Sequence, residues 1–99
     1  CPQIRPGCSH IFHIYCIRIS EREKLIDYLK AQGIATNIHY PIALPFAPAY
    51  AYLKHKPEDF PVAYEQQSKI LSLPMYPELT EEQIEYISDS LHKFYSNRV

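Results

Sequence analysis

No apolar run in this chain approaches the roughly 20 residues that a bilayer-spanning helix needs. The first residues also lack the charged start and long apolar run of a secretory signal. A membrane partner is therefore not expected, and the compartment expected from the sequence is the cytoplasm. Charge of one sign is missing as well. A formal net charge of -1 and an isoelectric point near 6.6 leave no basic stripe for nucleic acid and no polyanionic tail. Partners selected by bulk electrostatics, nucleic acid foremost, are not expected. Cysteine is scarce: Cys1, Cys8 and Cys16 are odd in number, bunched at one end and without a Cys-x-x-Cys pair. That pattern argues against a secreted disulfide framework and for free thiols. There is no repeat and no low-complexity tract.

What is present is a chain of 99 residues, enough for one domain with one modest core. The whole span 1–99 reads as that domain, with 1–9 as an extended lead-in. The chain opens on Cys1 and Pro2 rather than Met, and we expect a piece of a longer protein.

Short apolar runs alternate with capped helical segments. His10 to Ile19 is rich in Ile, Tyr and Phe on both faces of a period-two pattern, which predicts a central strand covered on both sides. Ser20 and Glu23 form a capping-box pattern ahead of the stripe Leu25, Ile26 and Leu29, and Gly33 ends the helix. Ile34 to Tyr40 is predicted as a second strand, stopped by Pro41, which cannot donate to a ladder. A loop with Pro45 and Pro48 follows, with one helical turn around Ala49 to Leu53. Pro61 suits the first turn of a helix running to about Lys69, and Ile70 to Leu73 is a short third strand closed by Pro74. Thr80 and Gln83 make another capping box, opening a helix with Ile84, Ile87, Leu91 and Phe94 at helical spacing. Glu81 and Glu82 at its start, with His92 and Lys93 near its end, complement its dipole. The expected class is α+β: a small sheet of three or possibly four strands with helices mainly on one face.

No obvious catalytic engine stands out. A Schiff-base lysine needs a desolvated or cation-lined pocket, and Lys24, Lys30, Lys54, Lys56, Lys69 and Lys93 all fall in helices or polar loops. Cys8, His10, His13 and Cys16 are residue types that zinc prefers. Along an extended strand, however, Cys8 and Cys16 would lie some 25 Å apart at about 3.3 Å per residue, and His13 would face away from the others. The plain reading is two core cysteines with hydrogen-bonded histidines, and no metal is expected. His39, between Ile38 and Tyr40 at a strand end, is the better ligand candidate, because sites are commonly built on such ends and His offers both a donor and an acceptor. Tyr15, Tyr28, Tyr86 and Tyr95 read as core-edge residues.

Several segments in fixed order carry a family likeness. They are His13-Ile14-Tyr15 with Ile17-Arg18, Glu23 to Leu29 with Gly33-Ile34, and Ile38-His39-Tyr40-Pro41. Ala49-Tyr50, Asp59 to Ala63, Leu71 to Pro77 and Leu79 to Gln83 follow. Together these resemble the carboxyl-terminal end of the DegT/DnrJ/EryC1/StrS family of pyridoxal-phosphate sugar aminotransferases. The resemblance implies the small domain of a dimeric fold-type I enzyme. In such an enzyme the large domain supplies pyridoxal 5'-phosphate and its lysine. The amino group passes, usually from L-glutamate, to a nucleotide-linked keto sugar.

By the same resemblance, His39 and Tyr40 would sit near substrate or the cofactor entrance. His13 and Arg18 would shape the domain and its contact with the large domain. No catalytic residue is expected on this chain, and no cofactor is expected to bind it alone. One departure stands out: where the family commonly has Tyr-Pro-x-Pro-Leu-His, this chain has Tyr40-Pro41-Ile42-Ala43-Leu44-Pro45. A stand-alone binding or dimerisation domain that keeps the fold without the chemistry is the alternative. An apolar surface left open on the isolated chain would favour a missing large domain.

Overall fold

The computed structural model describes residues 2–96. Strand β1 (Tyr15–Arg18) leads to helix α1 (Arg22–Ala31), and a long connection follows with three 3-10 turns at Leu44–Phe46, Pro48–Leu53 and Pro57–Asp59. Helix α2 (Pro61–Gln66), strand β2 (Ile70–Leu73) and helix α3 (Glu81–Ser96) complete the chain. The two strands pair antiparallel, with Tyr15 opposite Leu73 and Arg18 opposite Ile70.

The sheet is smaller than the three or four strands expected. β2, not β1, lies in the middle, since its other side carries a single bridge between Ser72 and Asn37. Proline explains part of this. In the observed register Ala35 would next oppose Pro74 across the bridge, on the side that the Ser72 N–H already faces, and proline has no N–H to give there. Pairing with β1 ends at Tyr15 and Leu73; the run from His10 to Ile14 stays outside the sheet and Ile11 is exposed. Asn37 closes the bridge at its other end. Its side-chain oxygen accepts the N–H of Ile38 at 2.8 Å, a local bond on the edge turned away from β2.

Helix α1 starts two residues after Ser20, and the capping box expected from Ser20 and Glu23 does not form: Glu21 is the N-cap, without a side-chain cap bond. The reason is Arg22, whose Nε donates to Glu23 at 3.1 Å while its Nη1 donates to the carbonyl of Gln67 at 2.7 Å. Gly33 ends α1 as expected, at φ +75, the left-handed conformation that glycine adopts without a Cβ penalty. Its N–H bonds Lys30 and that of Ile34 bonds Leu29, the paired closure of a Schellman motif. Ile34 and Leu29 both lie in the core.

The core is Ile19, Leu25, Leu29, Ile34, Leu71 and Phe94, with Ile17, Ile26, Tyr28, Ile38, Leu73, Ile87 and Leu91 packed against it. Because side chains alternate along a strand, Ile17, Leu71 and Leu73 share the face on which α1 and α3 meet, as the expected one-sided arrangement requires. The Thr80 capping box forms: the Thr80 N–H donates to Gln83 at 2.9 Å and the Gln83 N–H to the Thr80 hydroxyl at 3.2 Å. Tyr15 and Tyr28 are half-buried at the core edge, whereas Tyr86 and Tyr95 are more exposed than a core edge implies. Ile84 also faces solvent. α2 stops at Gln66 rather than near Lys69, because the chain must turn back at once to enter β2.

Between Ile34 and Leu71 no residue is buried. The radius of gyration is 16.0 Å, against about 13 Å for a self-contained domain of this length.

Candidate functional site

Asn37 and Ser72 join the two Tyr/Pro segments of the sequence. The Asn37 N–H donates to the Ser72 carbonyl at 3.0 Å and the Ser72 N–H to the Asn37 carbonyl at 2.7 Å. Two residues beyond Asn37, the ring nitrogen Nδ1 of His39 meets the Ser72 hydroxyl at 2.9 Å. This diagonal reach is what cross-strand neighbours at that offset allow. The result is a cleft of about 370 Å³ bordered by His13, His39, Ser72, Leu73, Met75 and Tyr76, with residues 35–37 along one side. Segments some thirty residues apart thus form one wall.

His39 is half-buried in that wall. Tyr40 is 71 % exposed and does not border the cleft, and the His39–Tyr40 peptide is cis. His13 is exposed and lines the same cleft as His39, a juxtaposition that the sequence did not reveal. Arg18 lies elsewhere, on a broader hollow of about 820 Å³ that also carries Cys16, Glu65, Gln66 and Lys69. There Lys69 holds the Glu65 carboxyl below the usual glutamate range by hydrogen bond and charge, and Arg18 adds a smaller pull in the same direction.

The divergent segment after Tyr40 is anchored through one of its replacements. The N–H of Ala43 donates to Gln67 Oε1 at 2.9 Å, a bond that a proline at this position has no hydrogen to make. Pro45 sits in the first turn of the Leu44–Phe46 3-10 segment, where a missing N–H costs little.

The cysteine and histidine cluster does not assemble. Among the described residues no group of three or more His, Cys, Asp and Glu is arranged to hold a metal ion. Cys8 is exposed rather than a core residue, Cys16 is half-buried, and both are free thiols; Cys1 lies outside the described residues. The Nδ1 of His10 accepts the N–H of Phe12 at 2.8 Å. Among the described residues no helix is long and apolar enough to cross a membrane.

The small antiparallel sheet backed by two helices is a mixed helix-and-strand architecture whose structural neighbours are fold-type I aminotransferases. Residues 2–92 match the DegT/DnrJ/EryC1/StrS aminotransferase family, and the chain belongs to that family.

A pleiotropic regulatory protein from Geobacillus stearothermophilus is 43% identical over 94 residues, which is 95% of this chain and 25% of that protein. The dTDP-3-amino-3,6-dideoxy-alpha-D-galactopyranose transaminase of Aneurinibacillus thermoaerophilus is 32% identical over 94% of this chain and 25% of its own length. Among solved structures, S. venezuelae DesV in complex with a ketimine intermediate superposes with a TM-score of 0.84 at 31% identity, over 99% of this chain and 26% of that one. The putative sugar aminotransferase Spr1654 from Streptococcus pneumoniae, in its PLP-form, gives 0.72 at 28% identity over 88% and 23%. The chain spans about a quarter of the length of the curated relatives it matches.

The family is pyridoxal-phosphate-dependent. Lys24, Lys30, Lys54, Lys56 and Lys93 are exposed, Lys69 is paired with Glu65, and none of them borders the cleft. A Schiff-base lysine requires the opposite setting.

Proposed function

We propose that this chain is the small, carboxyl-terminal domain of a pyridoxal-phosphate-dependent aminotransferase. The parent enzyme moves an amino group, from L-glutamate, onto a nucleotide-linked keto sugar, and works as a homodimer. The cofactor and its lysine come from the large domain. This chain contributes one wall of the substrate site, where the imidazole of His39 offers a hydrogen-bonding group to the sugar or its diphosphate. His13 completes that wall, and Arg18 belongs to the face turned toward the large domain. Tyr40, exposed beside His39, packs on the large domain near the entrance.

The observation that carries this reading is the convergence of the Asn37–His39 and Ser72–Tyr76 segments on a cleft that contains polar recognition groups and no lysine. Two further points support it. Relatives of this chain are named as transaminases of dTDP- and UDP-linked sugars. The connection between Ile34 and Leu71 also leaves Tyr40, Leu44, Tyr52 and Val62 each about 70 % exposed, an apolar surface of the kind that a docking partner covers.

The test is amino transfer from L-glutamate to a dTDP- or UDP-linked keto sugar by the intact gene product, with and without His39→Ala. The reading expects activity in the parent and a fall in kcat/KM of about 10- to 100-fold in the variant, the worth of one hydrogen bond to a polar or charged ligand group. No amino transfer to any nucleotide-linked keto sugar by the intact protein would defeat it. The non-catalytic alternative draws on the relative named as a regulatory protein, and the same assay separates the two.

A further inference from the structure

We propose that Ser72 is a positioning residue that fixes which nitrogen of His39 carries the proton, so that His39 presents an N–H donor to the cleft. This rests on the cleft being a ligand site, as argued above.

Ser72 is only 4% exposed. Its backbone is held in both directions by Asn37, and its burial limits the room for the side chain to turn elsewhere. A serine hydroxyl is one donor with two acceptor lone pairs. Among the described residues the sole partner within reach of this hydroxyl is His39 Nδ1, at 2.9 Å.

Two arrangements are possible. If Nδ1–H donated to Ser72, the serine hydrogen would be left buried without an acceptor, at a cost comparable to a broken hydrogen bond. If Ser72 donates to Nδ1, both groups are satisfied and the proton of the neutral ring sits on Nε2. The second arrangement wins.

Nε2 has no partner among the described residues. Its N–H is then a preset donor at the cleft border, matched to an acceptor oxygen of a ligand: a sugar hydroxyl or carbonyl, or a phosphate. The ring's second hydrogen bond, to Ser72, holds its tautomer and plane, the role that a second partner commonly plays for a working histidine.

The test is imidazole nitrogen NMR on the intact gene product labelled with nitrogen-15 histidine, at a pH where the ring is neutral, with the His39 signals assigned by His39→Gln. The wild type is expected to show a single tautomer, with Nε2 protonated and Nδ1 an acceptor. Ser72→Ala should lose that single-tautomer signature and Ser72→Thr, which keeps the hydroxyl, should restore it, with amide spectra confirming that each variant is folded. A protonated Nδ1 in the wild type, or a ring averaging between tautomers, overturns the proposal without any variant. An unchanged signature in folded Ser72→Ala overturns it equally. The readout needs no substrate. A correct tautomer in a protein that transfers no amino group would leave the positioning role standing and remove only the aminotransferase reading.

Discussion

The chain divides into two regions built on different terms. The first, β1 and α1 through Ile34 together with β2 and α3, holds every buried apolar side chain of the described residues. The second, from Ala35 to Lys69, holds none. Both regions are rich in aromatic and aliphatic residues, so hydrophobicity alone does not make a core. The first region has helical and strand periodicities that bring Leu25, Leu29, Leu71 and Phe94 together. The second is kept in shape by prolines, short 3-10 turns and local links such as Ala43 to Gln67, and turns Tyr52, Leu44 and Val62 outward. One region stabilises itself, and the other offers a surface.

Paired substitutions test this contrast most strongly. Leu29→Ala, at a fully buried site, should destabilise the fold by about 2–5 kcal/mol, whereas Tyr52→Ser should stay within about 0.5 kcal/mol. Denaturant midpoints measure both, and a comparable loss from Tyr52→Ser would erase the distinction. The two regions are tied by Arg22, whose side chain is 13% exposed and bonds the carbonyls of Gln67 and Ile70. Arg22→Met should cost about 1.5–3 kcal/mol, because the buried bonds to a charged donor are lost; an unchanged thermal midpoint would show that the tie is dispensable. Thr80→Ala removes the cap of α3 and should cost about 1 kcal/mol, visible as fraying of the first turn in hydrogen exchange.

The smallest effect is electrostatic. The Glu65 carboxyl is held low in the folded state, first by its hydrogen bond to Lys69. Its contribution is therefore present above the ordinary glutamate range and is lost as pH falls through the folded value. Glu65 is exposed, so salt screens this contribution. Lys69→Met should move the Glu65 titration, followed by carboxyl NMR, back up toward its usual position.

The sequence was most legible where local chemistry decides structure: the Gly33 stop, the Thr80 box and the bounds of Ile70 to Leu73 follow from residues a few positions apart. It was least legible where a distant partner decides. The strand predicted from His10 begins only at Tyr15, and the second strand shrinks to a single bridge at Asn37, where Pro74 would next stand opposite Ala35 and has no N–H to give. Ser20 and Glu23 carry a correct capping pattern that Arg22 overrides in favour of carbonyls more than forty residues away. The candidate site was half legible. His39 stood out by its setting at a strand end, but nothing local marked Ser72 as its partner or brought His13 to the same cleft.

The most direct measurement is cofactor retention. The isolated chain and the intact gene product are incubated with pyridoxal phosphate and dialysed exhaustively, and their bound cofactor is read by absorbance. We expect the intact protein to retain about one cofactor per chain through a lysine outside this segment, and the isolated chain to retain none beyond nonspecific background. Stoichiometric retention by this chain alone would contradict the assignment of the cofactor lysine to the large domain.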